Sequence, residues 1–174
     1  THYEKILEED FDGIFISNGP GDPSPVYEVV NLVKHLLGKK PIFGICMGHQ
    51  ILGHALGVNT YKLPFGHHGI NHPIKNLETG QVEITSQNHN YALDPETLSQ
   101  DVKVTHINLN DQTIAGIYHP RYKAFSVQYH PEAAPGPSDS HYLFKRFVHL
   151  MDEGMTKKFP NPSRQWHESS LLSL

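Results

Sequence analysis

The chain has 174 residues, 37% of them hydrophobic, and a formal net charge of -4. That length suits one domain with a real core, and the charge balance gives no basic patch or stripe of the kind nucleic-acid binding requires. No run approaches the roughly 18 apolar residues of a membrane span, and the acidic start Thr1–Asp10 lacks the apolar core of a signal peptide. A single cysteine excludes an internal disulfide and favours a reducing, intracellular setting.

In chain order, Tyr3–Glu9 reads as the end of a helix. Gly13–Ser17 is a short apolar run closed by Gly and Pro, which predicts a buried strand, and Asn18–Pro25 is a loop. Val26, Val29, Val30, Val33, Leu36 and Leu37 keep helical spacing, and Gly38 stands where a helix stops. Pro41–Ile45 is a second buried strand. Met47–Leu56 is a second helix, with Gly57 after its end. Strand–helix–strand–helix predicts a parallel sheet covered by helices.

The middle of the chain predicts shorter, antiparallel strands at Val58–Leu63, Gln81–Ser86, Val102–Leu109 and Thr113–Tyr118. Turn chemistry separates them at Pro64–Pro73, Glu78–Gly80 and Asn110-Asp111. Ala124–Tyr129 is a further strand leading into His130-Pro131-Glu132. A last amphipathic helix begins near Ser138 and ends at Gly154. Residues 1–153 are therefore expected to form the domain, and 154–174 a flexible tail.

Gly44-Ile45-Cys46-Met47-Gly48 lies at a strand-to-helix junction, the layout of a nucleophile elbow with Cys for Ser. Small residues two positions away on either side suit a tight turn. The following helix aims N–H groups and its positive dipole end at the sulfur, which favours thiolate. The N–H of Met47 can face a developing oxyanion. A small, buried, inert cysteine is the competing reading. A thiolate needs a proton shuttle, and His130 can serve, with Glu132 to orient it. Gly19 and Gly21 can bring backbone N–H groups close to a ligand, although Gly-Pro-Gly-Asp-Pro also makes an ordinary turn. Ser86–Tyr91 is a polar loop whose amides could recognise an amide. The histidine-rich stretch Phe65–His72 has no paired ligand spacing, and adjacent His67 and His68 cannot easily converge, so it predicts a loop and no metal site.

With these motifs assembled, the sequence resembles the class I (triad) glutamine amidotransferases. Gly44–Gln50 (GICMGHQ) and His130-Pro131-Glu132 carry that resemblance. Ser17–Pro23 (SNGPGDP), Phe65–Pro73, Ser86–His89 (SQNH) and His130–Ser140 look like the carbamoyl-phosphate synthase small-subunit branch. The resemblance implies an open, mostly parallel, flavodoxin-like sheet with a few antiparallel strands. It implies a glutaminase with Cys46, His130 and Glu132 as its triad. Gly19, Gly21, Met47, Gln50, Asn88, Asn90 and Tyr91 then fall at glutamine-contacting positions, and Gly19 and Met47 supply the oxyanion N–H groups. Many relatives carry Gly and Phe at Asn90 and Tyr91. No cofactor is implied in this chain; ATP and Mg belong to a large synthetase partner that receives the ammonia. The setting implied is cytoplasmic or plastid, with no nucleic acid and no membrane. The amidotransferase of another synthase, such as anthranilate synthase, and a non-catalytic docking fragment are the alternatives. The resemblance also implies that N-terminal strands precede Thr1, which would leave an open sheet edge here.

Overall fold

A computed structural model describes residues 11–17, 26–131, 141–158 and 171–173, with side chains described at all but 26, 141 and 154–158. The helical reading of Tyr3–Glu9 and the loop at 18–25 lie outside the described residues. Among those described, one eight-stranded sheet runs in the order β4-β3-β5-β6-β7-β2-β1-β8. Its strands are β1 (Gly13–Ile16), β2 (Ile42–Ile45), β3 (Thr60–Asn76), β4 (Val82–Leu93), β5 (Lys103–Asn108), β6 (Ile114–His119), β7 (Ala124–Val127) and β8 (Leu171–Ser173). Among the described residues three α-helices accompany it: α1 (Val26–Leu36), α2 (Met47–Ala55) and α3 (His141–Lys158). The open, helix-flanked α/β sheet is the expected class. β7, β2, β1 and β8 pair in parallel, and β4, β3, β5, β6 and β7 join antiparallel.

The parallel strands are short and apolar because both of their faces are covered. Side chains alternate across the sheet. Ile14, Ile16 and Ile42 face α1 and α2, where they meet Val33, Leu36, Ile51 and Leu52. Phe43, Ile45, Phe125 and Val127 face α3 and pack on Leu143, Phe147, Leu150 and Met151. Phe43 stacks on Phe125 with ring centroids 4.5 Å apart, and Phe144 meets Phe43 edge-on. α1 ends where Gly38 takes a φ of +79°, and α2 ends before Gly57 at +85°. Both are the left-handed positions at which glycine stops a helix.

Four expectations are corrected. Pro64–Pro73, expected as a turn, is the middle of β3, and the supposed loop Ser86–Tyr91 lies inside β4. The turn-like residues mark irregularities within one long ribbon. The β3–β4 register shifts between Lys62 and His67 and again between Gly69 and His72, and Gly66 and Gly69 take φ of +67° and +124°. Such bulges bend a ribbon sharply. Gly154 does not stop α3, which continues to Lys158. Leu171–Ser173, expected within a tail, pairs in parallel with Gly13–Phe15 as a strand beside β1.

The bend positions the site. β4 belongs to the far edge of the sheet, yet it reaches back over the carboxyl ends of β2 and β7. Ser86 bridges His130, and Leu93 fills the space left by Gly53 in α2, where an added Cβ would come within 2.5 Å of it.

Candidate active site

Cys46 stands between β2 and α2 with φ 54° and ψ -106°. Positive φ is unusual for a residue with a side chain, and the strain of order 1–3 kcal/mol persists only where the surroundings over-determine it. Here they do. The Cys46 N–H donates to the Val127 carbonyl at 3.0 Å, which ties the turn to β7. The Cys46 carbonyl accepts from the N–H groups of His49 and Gln50 at 3.0 and 3.3 Å, which starts the helix. The two flanking glycines are required by contact. A Cβ on Gly44 would sit 2.6 Å from the Gly48 carbonyl oxygen, and one on Gly48 would run into the carbonyl of Ile16. The first turn of α2 thus lies backbone to backbone on β1 and β2.

The sulfur is buried, with Cys46 only 4% exposed. Its Sγ lies 3.9 Å from the Asn88 carbonyl oxygen and 3.9 Å from Nε2 of Gln128. Gln128 and His130 follow β7, the neighbour of β2. The His130 N–H donates to the Ser86 carbonyl at 3.0 Å. One short stretch of β4, Ser86 to Asn88, therefore touches both Cys46 and His130. Gln50, one turn into α2, donates from Nε2 to the Tyr91 carbonyl at 3.1 Å and to Oε1 of Gln128 at 3.2 Å.

Of the residues singled out in the sequence, Cys46, Gln50, Asn88 and Tyr91 come together here, and His130 is tied to the same stretch of β4 through its backbone bond to Ser86. Met47 opens α2 with a side chain that is 38% exposed. Asn90 is held through a bridge: the His68 ring spans Oδ1 of Asn88 (2.8 Å) and Oδ1 of Asn90 (3.0 Å) on the outer face of the ribbon. Glu132, Gly19 and Gly21 lie outside the described residues. Sequence reasoning missed Gln128 and His89. Gln128 was detectable as the amide in a strand run that is otherwise apolar apart from Ser126 and the Tyr129 hydroxyl.

The histidine-rich stretch serves the ribbon. His67 and His68 point to opposite faces, as neighbours on a strand must. His67 is buried, 2.5 Å from Oδ2 of Asp111 and 3.2 Å from Nε2 of His89. For Asp111, hydrogen bonds from Thr113 and His67 outweigh the upward push of burial and hold the carboxyl below its ordinary value. His89 in turn reaches the Tyr91 carbonyl from Nδ1 at 2.8 Å. Burial is the main cause of three large histidine shifts: His49 is pushed down to about 3, and His89 and His106 to about 4.

These shifts set an acid limit. Unfolded, each imidazole has a pKa of about 6.5 and binds a proton below it; folded, it stays neutral. The unfolded state then binds more protons, so stability falls as pH drops from 6.5 toward 4. The three groups together steepen that fall by up to about 4 kcal/mol per pH unit near pH 5. Urea unfolding is expected to show a much lower midpoint at pH 5 than at pH 7. Equal midpoints would contradict the buried neutral histidines.

Fold and geometry together define an open-sheet α/β protein with a cysteine elbow at the carboxyl edge of its parallel strands. Residues 1–150 match the glutamine amidotransferase class-I family. The chain belongs to that family. It is similar to the carbamoyl phosphate synthase small chain of Akkermansia muciniphila, with 57% identity over 84% of this chain and 40% of that one. The Aquifex aeolicus small chain is 60% identical over the same shares. The chloroplastic small chain of Arabidopsis thaliana is 61% identical over 84% of this chain and 34% of its own. The chain thus spans about two fifths of the length of the relatives it matches. Among solved structures, a putative GMP synthase component from Thermoplasma acidophilum superposes with a TM-score of 0.71 at 17% identity, over 90% of this chain and 79% of the other. A Thermotoga maritima glutamine amidotransferase gives 0.56 at 19%, over 86% and 66%. At those identities the likeness supports the fold.

Proposed function

We propose that this chain is the glutamine-hydrolysing part of a carbamoyl-phosphate synthase. The observation that carries the reading is the placement of Cys46 on a strained strand-to-helix turn, with β4 packed on both it and His130. Cys46 attacks the side-chain carbonyl carbon of L-glutamine as thiolate. The C–N bond breaks, His130 gives its proton to the departing ammonia, and a glutamyl thioester remains. His130 then takes a proton from water, which attacks the thioester and releases glutamate and the thiolate. Glu132 orients His130 and offsets its charge. Gly19 and Met47 supply oxyanion N–H groups. Gly21, Gln50, Asn88, Asn90 and Tyr91 line the glutamine pocket.

The chain itself needs no cofactor in this scheme. Ammonia passes to a large synthetase partner, which uses ATP and Mg to make carbamoyl phosphate for pyrimidines and arginine. Among the described residues no helix is long and apolar enough to cross a membrane. The setting is cytoplasmic or plastid in this reading; two plant relatives are named as chloroplastic.

The test is release of glutamate from L-glutamine, with and without the large chain of a carbamoyl-phosphate synthase. Stimulation of about tenfold or more by that chain is expected, because a partner that orders the site can account for 1.4 kcal/mol or more. Stimulation by an anthranilate synthase partner instead, or no glutamate under either condition, would overturn the proposal.

A further inference from the structure

The Gln128 side chain has one orientation, and a single backbone carbonyl sets it. Gln128 is 1% exposed, so its amide must be satisfied inside the protein. The series begins at the Tyr91 carbonyl, which can only accept. Gln50 must therefore present its NH2 end there, at 3.1 Å. The same nitrogen lies 3.2 Å from the Gln128 amide, so the Gln128 end facing it must be oxygen. Turning either amide over would set oxygen against oxygen or nitrogen against nitrogen. His89 Nδ1, 2.8 Å from the same carbonyl, holds it from the other side. The remaining end of Gln128 is then its NH2 group, which lies 3.5 Å from the Cys46 carbonyl and 3.9 Å from Sγ, within reach for an atom as large as sulfur.

The sulfur thus has two described polar neighbours of opposite kind. The Asn88 carbonyl, 3.9 Å away, can accept from S–H but repels a thiolate. Gln128 Nε2 can only donate and does the reverse. We propose that Gln128 is a further catalytic residue of this site, an N–H donor to the Cys46 thiolate, with Gln50 as the positioning residue that fixes its amide. The proposal rests on the reading of Cys46 as nucleophile. The donor acts twice. Before attack it holds the sulfur as anion beside an opposing carbonyl. When water breaks the C–S bond of the thioester, the electron pair returns to sulfur, and the same N–H receives that charge.

The experiment uses the full chain and two substitutions, Gln128→Met, which keeps length and loses the donor, and Gln128→Glu, which keeps shape and replaces the donor with an acceptor. The first readout needs no glutamine: the rate of Cys46 alkylation by iodoacetamide as a function of pH. As the chain has a single cysteine, the rate reports one thiol. The elements that meet at the sulfur carry the titratable side chains His49 on α2, His89 on β4 and His130 after β7, all retained in both variants. The midpoint of the alkylation profile is expected to rise by about one pH unit in Gln128→Met, the size of one charge-assisted hydrogen bond, and by more in Gln128→Glu. Gln50→Met, which frees the Gln128 amide to turn, is expected to move it the same way by less. In glutamine hydrolysis, Gln128→Met should lower kcat about tenfold with KM within about twofold, since the donor acts on the sulfur.

A variant with wild-type circular dichroism and a wild-type alkylation profile overturns the proposal. If Gln128→Met does not fold, Gln128→Glu decides in its place. A shifted profile in a chain whose wild type hydrolyses no glutamine supports the donor at Cys46 and overturns only the proposed function. An effect confined to KM, with alkylation unchanged, would make Gln128 a packing residue of the pocket and sink the inference.

Discussion

Cys46→Ser is expected to remove glutamine hydrolysis almost entirely, lowering kcat by about four orders of magnitude or more, as losses of a nucleophile do elsewhere. An alcohol is far harder to ionise than a thiol, so His130 cannot maintain a useful fraction of alkoxide near neutral pH. The fold should survive, because the exchange of sulfur for oxygen is small and the turn is held by main-chain bonds to Val127, His49 and Gln50. Glutamine affinity, read by equilibrium binding, is expected to stay within a few-fold. Hydrolysis that persists in the purified variant would remove Cys46 from the mechanism.

Gly48→Ala should have the largest effect on stability of any single methyl group added near the site. The new Cβ would overlap the Ile16 carbonyl oxygen and press on the Ile16 side chain 3.0 Å away. A flexible side chain could rotate aside; a strand carbonyl cannot. Relief requires α2 to lift from β1, which opens the packing of Ile16 against Leu52. Overpacking of this kind amounts to about 3 kcal/mol or more, a large part of the 5–15 kcal/mol that holds a domain together. Gly57→Ala is the natural control. Gly57 has a φ of +85° with nothing within 4 Å of an added Cβ, so only conformational strain of about 1 kcal/mol is expected. Urea midpoints of the two variants check the contrast, and equal losses would show that the clash at Ile16 is not what matters.

The same glycine shows how far the sequence could be read. Gly44 and Gly48 flank Cys46 at positions a tight turn needs, and the β1-α1-β2-α2 segment emerged within a residue or two because its signals are local. Apolar runs, helical spacing and the stops at Gly38 and Gly57 all lie within the elements they define. The β3–β4 ribbon was not legible, because its pairing partners are distant and its bulges use the same residues as turns. Pro64, Gly66 and Gly69 read as punctuation, yet they sit within β3, where the register shifts. Gln128 was missed for a related reason. Its importance comes from Gln50, whose amide is fixed by the Tyr91 carbonyl only after the ribbon has folded over. At the chain's other end, Leu171–Ser173 gave no pattern, since three residues beside β1 derive their identity as a strand from that partner.

The bent ribbon has a consequence for how the site comes into being. The start of α2 after Cys46 is built from neighbours in sequence, but the tie to Val127 and the shield over the sulfur are not. The Asn88 carbonyl stands 42 residues from Cys46 in sequence, and Gln128 stands 82. Short-range closures are entropically easier than long ones and precede them. A chain leaving the ribosome can therefore begin α2 beside Cys46 well before β4 and β7 exist to fix the turn and enclose it. The cysteine is placed early but fixed and sheltered late, and during that interval its thiol is open to any oxidant or electrophile in the surroundings.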